Sequence, residues 1–451
     1  MWSSLTSFTY KLLAYLSTLN LFYFSINKWY FNPYSSPSTY TIGDSHNLKI
    51  GILSDSQLTA SSSDKMFPYS YEHLLQSLEV MKNQKIEVLI FAGDEVQTGT
   101  KYGFKLFKKA LDLTWPDEKN RPIYNFIMGN HDYRWNYFFP SYHQKLFYNI
   151  IGEKPYSHKI INGYHFINWG HGDYSMETCN LNYFWFEKEI EKVNKENKLK
   201  KPIFVITHVN AKKTVYGSEE WGNFFIKDAL NKYEQVVHIS GHSHFSLIDE
   251  RSIWQGNFTS IQTQSTSYIE LETGKENGPI PLNEFNHNEI ATLNYMGLII
   301  NINDQQMEIL RISLPKNQFY HKKWIIQFPI IKNNFMYVDR EKNSLEPFFE
   351  EKNIQVYQVE FQGKKYNHIK FIQAKHENFV HSYRIVFSRH KFKKEFLYFS
   401  DFYLMPEDRK EFIVFKLNDE LFGEYDIQIY AIESFGKESL PLEDKVFVPL
   451  L

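Results

Sequence analysis

The stretch Ile123-Tyr-Asn-Phe-Ile-Met-Gly-Asn-His-Asp132 decides how the chain folds. Its apolar start has the length of a buried strand, and it stops at a glycine followed by three side chains that bind metals or protons. Five more runs read the same way: LKIGILS (48–54), VLIFAG (88–93), HFINWG (165–170), IFVITH (203–208) and VVHISG (236–241). Between the first two, Tyr71, Leu74, Leu75, Leu78 and Met81 fall at helical spacing, and Phe104, Phe107, Lys108 and Leu111 continue the pattern before Ile123. FWFEKEIEKVNKENKLKK (184–201) reads as a helix with a solvated charged face, and PYSHKIINGYHFINWG (155–170) as a hairpin turning at Asn162-Gly163. Strand–helix–strand alternation predicts an α/β layered domain over residues 47–316.

Five of these strand ends deposit polar groups in order. They are Ser54-Asp55-Ser56-Gln57, Gly93-Asp94, Gly129-Asn130-His131-Asp132, Thr207-His208 and Gly241-His242-Ser243-His244. In open α/β sheets ligands gather beyond the carboxyl ends of strands, so five such ends can converge on one crevice. Singly each is weak, since Gly-Asp is commonly a turn and a lone His a hydrogen-bonded partner. Two His at i and i+2 behind a glycine can address two different ions. Cys179 is the only cysteine, which excludes an intrachain disulfide and multi-thiolate sites. Any metal is held by nitrogen and oxygen.

The order D-x-(H), GD, GNHD, H, GHxH resembles the calcineurin-like metallophosphoesterase family over residues 47–316. The resemblance implies a sandwich of two mixed β-sheets flanked by helices. It implies two divalent metal ions (Mn, Fe or Zn), the first held by Asp55, Gln57 and His244, the second by Asn130, His208 and His242, with Asp94 bridging. His131 would be the acid that helps expel the leaving alkoxide, and Asp132 would orient it. The family most often has His where this chain has Gln57. An amide oxygen still binds metal, but more weakly and with a lean toward Mn-like ions.

Two metals about 3.5–4 Å apart lower the pKa of a water and clamp a phosphate. Hydrolysis of a phosphomonoester or phosphodiester is therefore expected by direct attack of metal-bound hydroxide, without a covalent phosphoenzyme. The expected substrate is a phosphorylated small molecule, lipid or nucleotide. A rival reading, prompted by Gln57 and the C-terminal region, is a non-catalytic metal-binding or adhesion-type module on a degenerate phosphoesterase fold. His165 reads as structural, His171 and Asp173 as candidates for the pocket border. Trp221 and Asn223 read either as shaping substrate binding or as plain surface loop.

Residues 317–350 read as a connecting segment. From 351 to 451 helical periodicity disappears, and IQVYQVEF, HIKFIQA, SYRIVFS, EFIVFKL and YDIQIYAIES alternate apolar with polar residues. That predicts a small all-β sandwich. GEYDIQIYAIESFGKESLP (423–441) resembles the last hairpin of fibronectin type III modules, and no catalytic constellation is visible there.

Residues 1–46 read as a signal or anchor segment and linker. Lys11 precedes the apolar run LLAYLSTLNLFYFSIN (12–27), too short for a comfortable membrane helix and without a clear cleavage site. Membrane association through this segment and placement on the secretory route are expected, with a packed amphipathic helix as the other reading. Lys+Arg 50 against Asp+Glu 52 leaves a formal charge of −2, which offers no basic excess for specific nucleic-acid binding. The hydrophobic share of 43% excludes wholesale disorder.

Overall fold

The computed structural model describes residues 36–43, 47–59, 69–134, 140–170, 176–278, 294–417 and 420–451. Strand Ile123–Phe126 lies at one edge of a seven-stranded sheet and pairs in parallel with Val88–Phe91, which pairs in parallel with Leu48–Leu53. Antiparallel strands Met296–Ile302 and Gln306–Ser313 extend it. The second seven-stranded sheet is also mixed. The hairpin Tyr156–Ile161/Tyr164–Trp169 turns at Asn162-Gly163, and Ile203–Ile206, Val236–Ser240 and Thr259–Gln262 follow in parallel.

The continuous apolar runs are explained by burial on both faces. In Val88–Phe91, Val88 and Ile90 point into the core between the two sheets, where Phe204, Ile206, Val237 and Ile239 meet them. Leu89 and Phe91 point the other way, onto Leu74, Leu78, Phe104 and Phe107 of the helices Ser70–Asn83 and Lys101–Thr114. On the second sheet Ile203 and Val205 take Trp185, Phe186, Ile190 and Val193 of the helix Met176–Glu196. A side-chain period of two thus feeds two cores from each strand. The result is helix, sheet, sheet, helix. Thr100 caps its helix by accepting from Gly103 N at 3.1 Å.

This body does not stop at residue 316. Gln318–Phe319 and Trp324–Gln327, inside the expected connecting segment, both pair with Gln306–Ser313. Trp324 is buried and its indole N–H donates to Glu250 Oε2 at 3.1 Å. At the other end Ser38–Tyr40, within the expected linker, pairs in parallel with Tyr156–Ile161. Short edge pairings of this kind carry too few residues to show a period in sequence.

Beyond residue 351 a three-stranded sheet (Ile354–Phe361, Lys364–Ile372, Phe412–Lys416) faces a four-stranded one (Phe392–Phe399, Ser382–Arg389, Gly423–Ile432, Leu442–Val448), and every pairing is antiparallel. Ile369, Phe371 and Phe415 from one sheet pack with Tyr383, Ile385 and Ile427 from the other. Phe392–Phe399 and Leu442–Val448 were not among the expected strands. Lys393, Lys394 and Glu395 in the first, and Glu443, Asp444 and Lys445 in the second, break the alternation, which flanking strands tolerate because one side meets water. Phe379, Phe399, Phe402 and Met405 join the central core of the α/β body. The hydroxyl of Tyr216 donates to Glu272, and His381 Nε2 of the sandwich lies 3.2 Å from that hydroxyl and 3.5 Å from Glu272 Oε1.

Among the described residues no helix is long and apolar enough to cross a membrane. The apolar run 12–27, and His171 and Asp173, lie outside the described residues.

Candidate metal centre

The five strand ends meet. Asp55, Asp94 and Asn130 arrive from three parallel strands of one sheet, His208, His242 and His244 from two parallel strands of the other. Backbone hydrogen bonds lock the ends together: Asp55 N donates to Gly93 O at 2.9 Å, Gln57 N to Asp94 O at 3.0 Å, and Gly241 N to His208 O at 2.9 Å. Two glycines permit the approach. Gly93 has φ +93°, and a Cβ there would strike the His208 ring and the Gly129 backbone. A Cβ on Gly241 would overlap Ser54 and Asp55.

The backbone at the site is strained. Asp55 (φ 54°), Gln57 (41°), Asp94 (57°), His242 (72°) and His244 (58°) all adopt left-handed conformations that non-glycine residues avoid. Such conformations persist only where surrounding structure over-determines them, and they cluster at functional sites. Here the strand-end hydrogen bonds supply that constraint.

Each carboxylate spends one oxygen on the scaffold and presents the other. Asp94 Oδ1 accepts from His131 N at 2.7 Å, leaving Oδ2 3.2 Å from His208 Nε2. Asp55 Oδ2 accepts from His242 N at 3.0 Å and from the Ser54 hydroxyl, leaving Oδ1 3.0 Å from His244 Nε2. The His208 Nδ1 lies 2.8 Å from Ala92 O, so that nitrogen carries the proton and donates it. This aims Nε2 inward, where it meets Asn130 Oδ1 at 3.0 Å and His242 Nδ1 at 3.2 Å besides Asp94. Ligand atoms of Asp94, His208 and His242 all lie within 4.8 Å of one another.

The electrostatics suit a cation. Asp55 and Asp94 are buried, which would raise their pKa values, yet the surrounding histidines hold both below the usual carboxylate range. Their ion-pair partners among the described residues are histidines, with no Lys or Arg. Burial alone would lower His208, but Asp94 and Asp55 push it up to about 10, while burial brings His242 down to about 3. Against burial, the Asp55 carboxylate raises His244 as well, so both buried carboxylates have imidazole as their counter-charge, a setting that a cation can take over. The donor set of carboxylate, amide and imidazole fits a pair of divalent cations.

Gln57 lies beside the first cluster. Its Nε2 is 3.4 Å from His244 Nε2, and its buried Oε1 has no hydrogen-bond partner among the described residues. A half-turn of the amide exchanges the two atoms, bringing an oxygen to the cation side. His131 Nε2 stands 3.9 Å from Asp94 Oδ2, and its buried Nδ1 has no partner among the described residues. Burial is the main cause that lowers His131 to about 4.

Asp132 differs from its expected role of orienting His131. Its carboxylate accepts three backbone amides, Asp94 N at 2.9 Å, Gly129 N at 2.8 Å and Val96 N at 3.0 Å. It staples the Gly-Asp end to the Gly-Asn-His-Asp end. Behind it sits Glu95, a residue motif reading missed because Glu after Gly-Asp carries no spacing signal. Burial first, then the Asp132 charge, pushes the Glu95 carboxyl well above its usual range, so it stands neutral. Asn223 is a helix cap: its Oδ1 accepts from Phe225 N at 2.8 Å. His165 Nδ1 lies 2.9 Å from His158 Nε2, away from this cluster.

Residues 40–246 match the calcineurin-like phosphoesterase family. No curated protein matches the chain. Among solved structures, a dimetal phosphatase from Danio rerio is 9% identical, with TM-score 0.40, covering 62% of this chain and 99% of its own. A purple acid phosphatase from yellow lupin (Lupinus luteus) seeds is 12% identical, with TM-score 0.44, covering 63% and 54%. A putative 5'-nucleotidase from Staphylococcus aureus is 10% identical, with TM-score 0.33, covering 66% and 57%. Residues 40–246 are a calcineurin-like phosphoesterase domain, and the chain is a metal-dependent phosphoesterase.

Proposed function

We propose that this domain hydrolyses a phosphorylated small molecule, a mono- or diester, with two divalent cations in the crevice described above. Asp55, Gln57 and His244 would hold the first, Asn130, His208 and His242 the second. Asp94, whose Oδ1 accepts from His131 N while Oδ2 faces His208 Nε2, would serve both. Bound there, the cations would lower the pKa of water and neutralise phosphoryl oxygens. The observation that carries this reading is His208 Nε2, oriented by Ala92 O and facing Asp94 Oδ2, Asn130 Oδ1 and His242 Nδ1 together.

His131 borders the cluster without belonging to it, as a proton donor to the leaving oxygen should. Its ring is neutral in the free protein, and an arriving phosphate anion would favour its charged form. Asp132, through Asp94 N and Gly129 N, holds both loops at fixed separation. The C-terminal sandwich, with its three-plus-four antiparallel arrangement, is read as a fibronectin type III-like module that buttresses the α/β body. The N-terminal segment is read as a signal anchor that places the enzyme on the secretory route.

Metal analysis combined with turnover of para-nitrophenyl phosphate and its bis-ester tests the proposal. Two equivalents of metal and turnover of either ester are expected, and the better ester assigns mono- or diesterase. Bound metal without turnover of either ester, across Mn, Zn, Fe and Co, would leave a binding module instead.

A further inference from the structure

We propose that Trp221 is the specificity-determining wall of the site and receives a planar apolar group carried by the phosphate ester. The inference rests on the phosphoesterase reading. The indole is 46% exposed, yet it meets the His242 ring edge to face, with centroids 5.9 Å apart and planes at 90°. His242 Nδ1 is in turn 3.2 Å from His208 Nε2. Trp221 therefore stands one ring away from the cation cradle, with much of its surface uncovered.

The position is held firmly. Trp221 ends the short helix Ser218–Trp221, and its amide donates to Gly217 O at 3.0 Å. A Cβ on Gly217 would strike Phe245 and Ser243, so this turn presses directly on the His242–His244 loop. On the other side, Asn223 N donates to Asn210 O at 2.8 Å and Lys212 N to Asn223 O at 3.0 Å, which ties the turn to the chain just past His208. A rigid mounting makes an exposed ring a binding surface at small entropic cost.

The second histidine also carries a ring. Tyr268 lies with its centroid 4.4 Å from that of His244, and its hydroxyl donates to Glu270 Oε1 at 3.2 Å. Tyr268 is tethered and polar at its tip, whereas Trp221 is apolar and open. Isolated exposed apolar side chains are ordinary; Trp221 stands out because its neighbour is a candidate ligand.

Lys212, Lys213 and Lys227 around this turn are matched by Glu219, Glu220 and Asp228. The exposed indole face offers ring stacking to a planar guest.

The test is calorimetric binding of phenylphosphonate and methylphosphonate to the Mn-loaded full chain. The wild type is expected to bind the phenyl compound roughly tenfold more tightly, in line with stacking on an aromatic side chain. Trp221→Ala should abolish that preference and Trp221→Phe should retain most of it. Equal binding, binding of neither compound, or a preference unchanged in Trp221→Ala overturns the proposal. The readout requires no turnover. Failure to hydrolyse both para-nitrophenyl phosphate and its bis-ester would sink the functional reading alone, and an active enzyme without the phenyl preference would sink only this inference.

Discussion

The carboxylate of Asp132 accepts the backbone amide of Asp94 at 2.9 Å while its partner oxygen holds Val96 N at 3.0 Å. The residue that looked like a companion of His131 is thus a clamp on the residue expected to bridge the metals. An asparagine there would turn one acceptor into a donor facing backbone N–H. A buried amide left unsatisfied costs about 1–3 kcal/mol, and second-layer losses lower metal affinity roughly 10–100-fold. Asp132→Asn is expected to lower both thermal stability and metal content, read by melting and elemental analysis. Unchanged values would show that the clamp is dispensable.

His131 and Asp94 should separate chemistry from binding. His131→Ala removes a ring outside the donor set, so metal content should stay while kcat drops about 10²–10⁴-fold, the usual weight of a general acid. Asp94→Asn should lose metal and turnover together, since the negative charge at the centre of the cluster is lost. Equal activity in the two variants would refute these roles.

Gly93→Ala tests the strain built into the strand end. Its φ of +93° disfavours any L side chain, and the new Cβ would push on His208 Nδ1, the atom bonded to Ala92 O. A loss of about 2–4 kcal/mol is expected from backbone strain plus overpacking, with weakened metal binding. Chemical denaturation of both proteins checks it, and a shift under about 0.5 kcal/mol, the range of ordinary surface changes, would contradict it.

Glu250 predicts acid lability. Burial would raise its carboxyl, but Arg311 and Arg340 overcome this and hold it down to about 2. Arg311 Nη2 lies 2.8 Å and Arg340 Nη2 2.6 Å from its two oxygens. Because the folded pKa is depressed, its contribution is full above the unfolded value near 4.5 and is lost as pH falls toward about 2. Glu250→Gln should destabilise the protein at neutral pH by roughly 3–5 kcal/mol, leaving two guanidinium groups without their anion. It should also flatten the pH dependence of melting between about 4.5 and 2. An unaltered acid limb would show that other carboxyls control it.

Gln57→His would install the imidazole that the family most often carries. Because Gln57 Nε2 already lies 3.4 Å from His244 Nε2, the new ring would reach the same cluster. Tighter retention of Zn relative to Mn is expected, following the softer ligand. Competition dialysis measures the ratio, and an unchanged ratio would mean that position 57 does not ligate.

How much was legible from residues alone follows from range. Runs such as Val88–Phe91 and Ile203–Ile206 announce strands because burial on both faces demands unbroken apolar sequence, and that demand is local. The ligand types and their order were legible for the same reason: each sits at the end of its own run. Within residues 317–350 the strands Gln318–Phe319 and Trp324–Gln327 were not legible because they are held by pairing with Gln306–Ser313, and short pairings leave no periodic mark.

Distance and direction were decided only by the folded chain. Nothing in the order of residues says that Asp55, Gln57, Asp94, His242 and His244 take left-handed backbones, because that conformation is imposed by strand ends crossing between two sheets. The same holds for Asp132 turning toward amides, for Glu95 kept neutral behind it, and for Trp221 standing against His242. The sequence by itself determined which atoms were available and which strands would carry them. Which oxygen of each carboxylate faces the centre, and which nitrogen of each ring, was set by contacts between residues far apart in the chain, and such contacts exist only once the two sheets have packed.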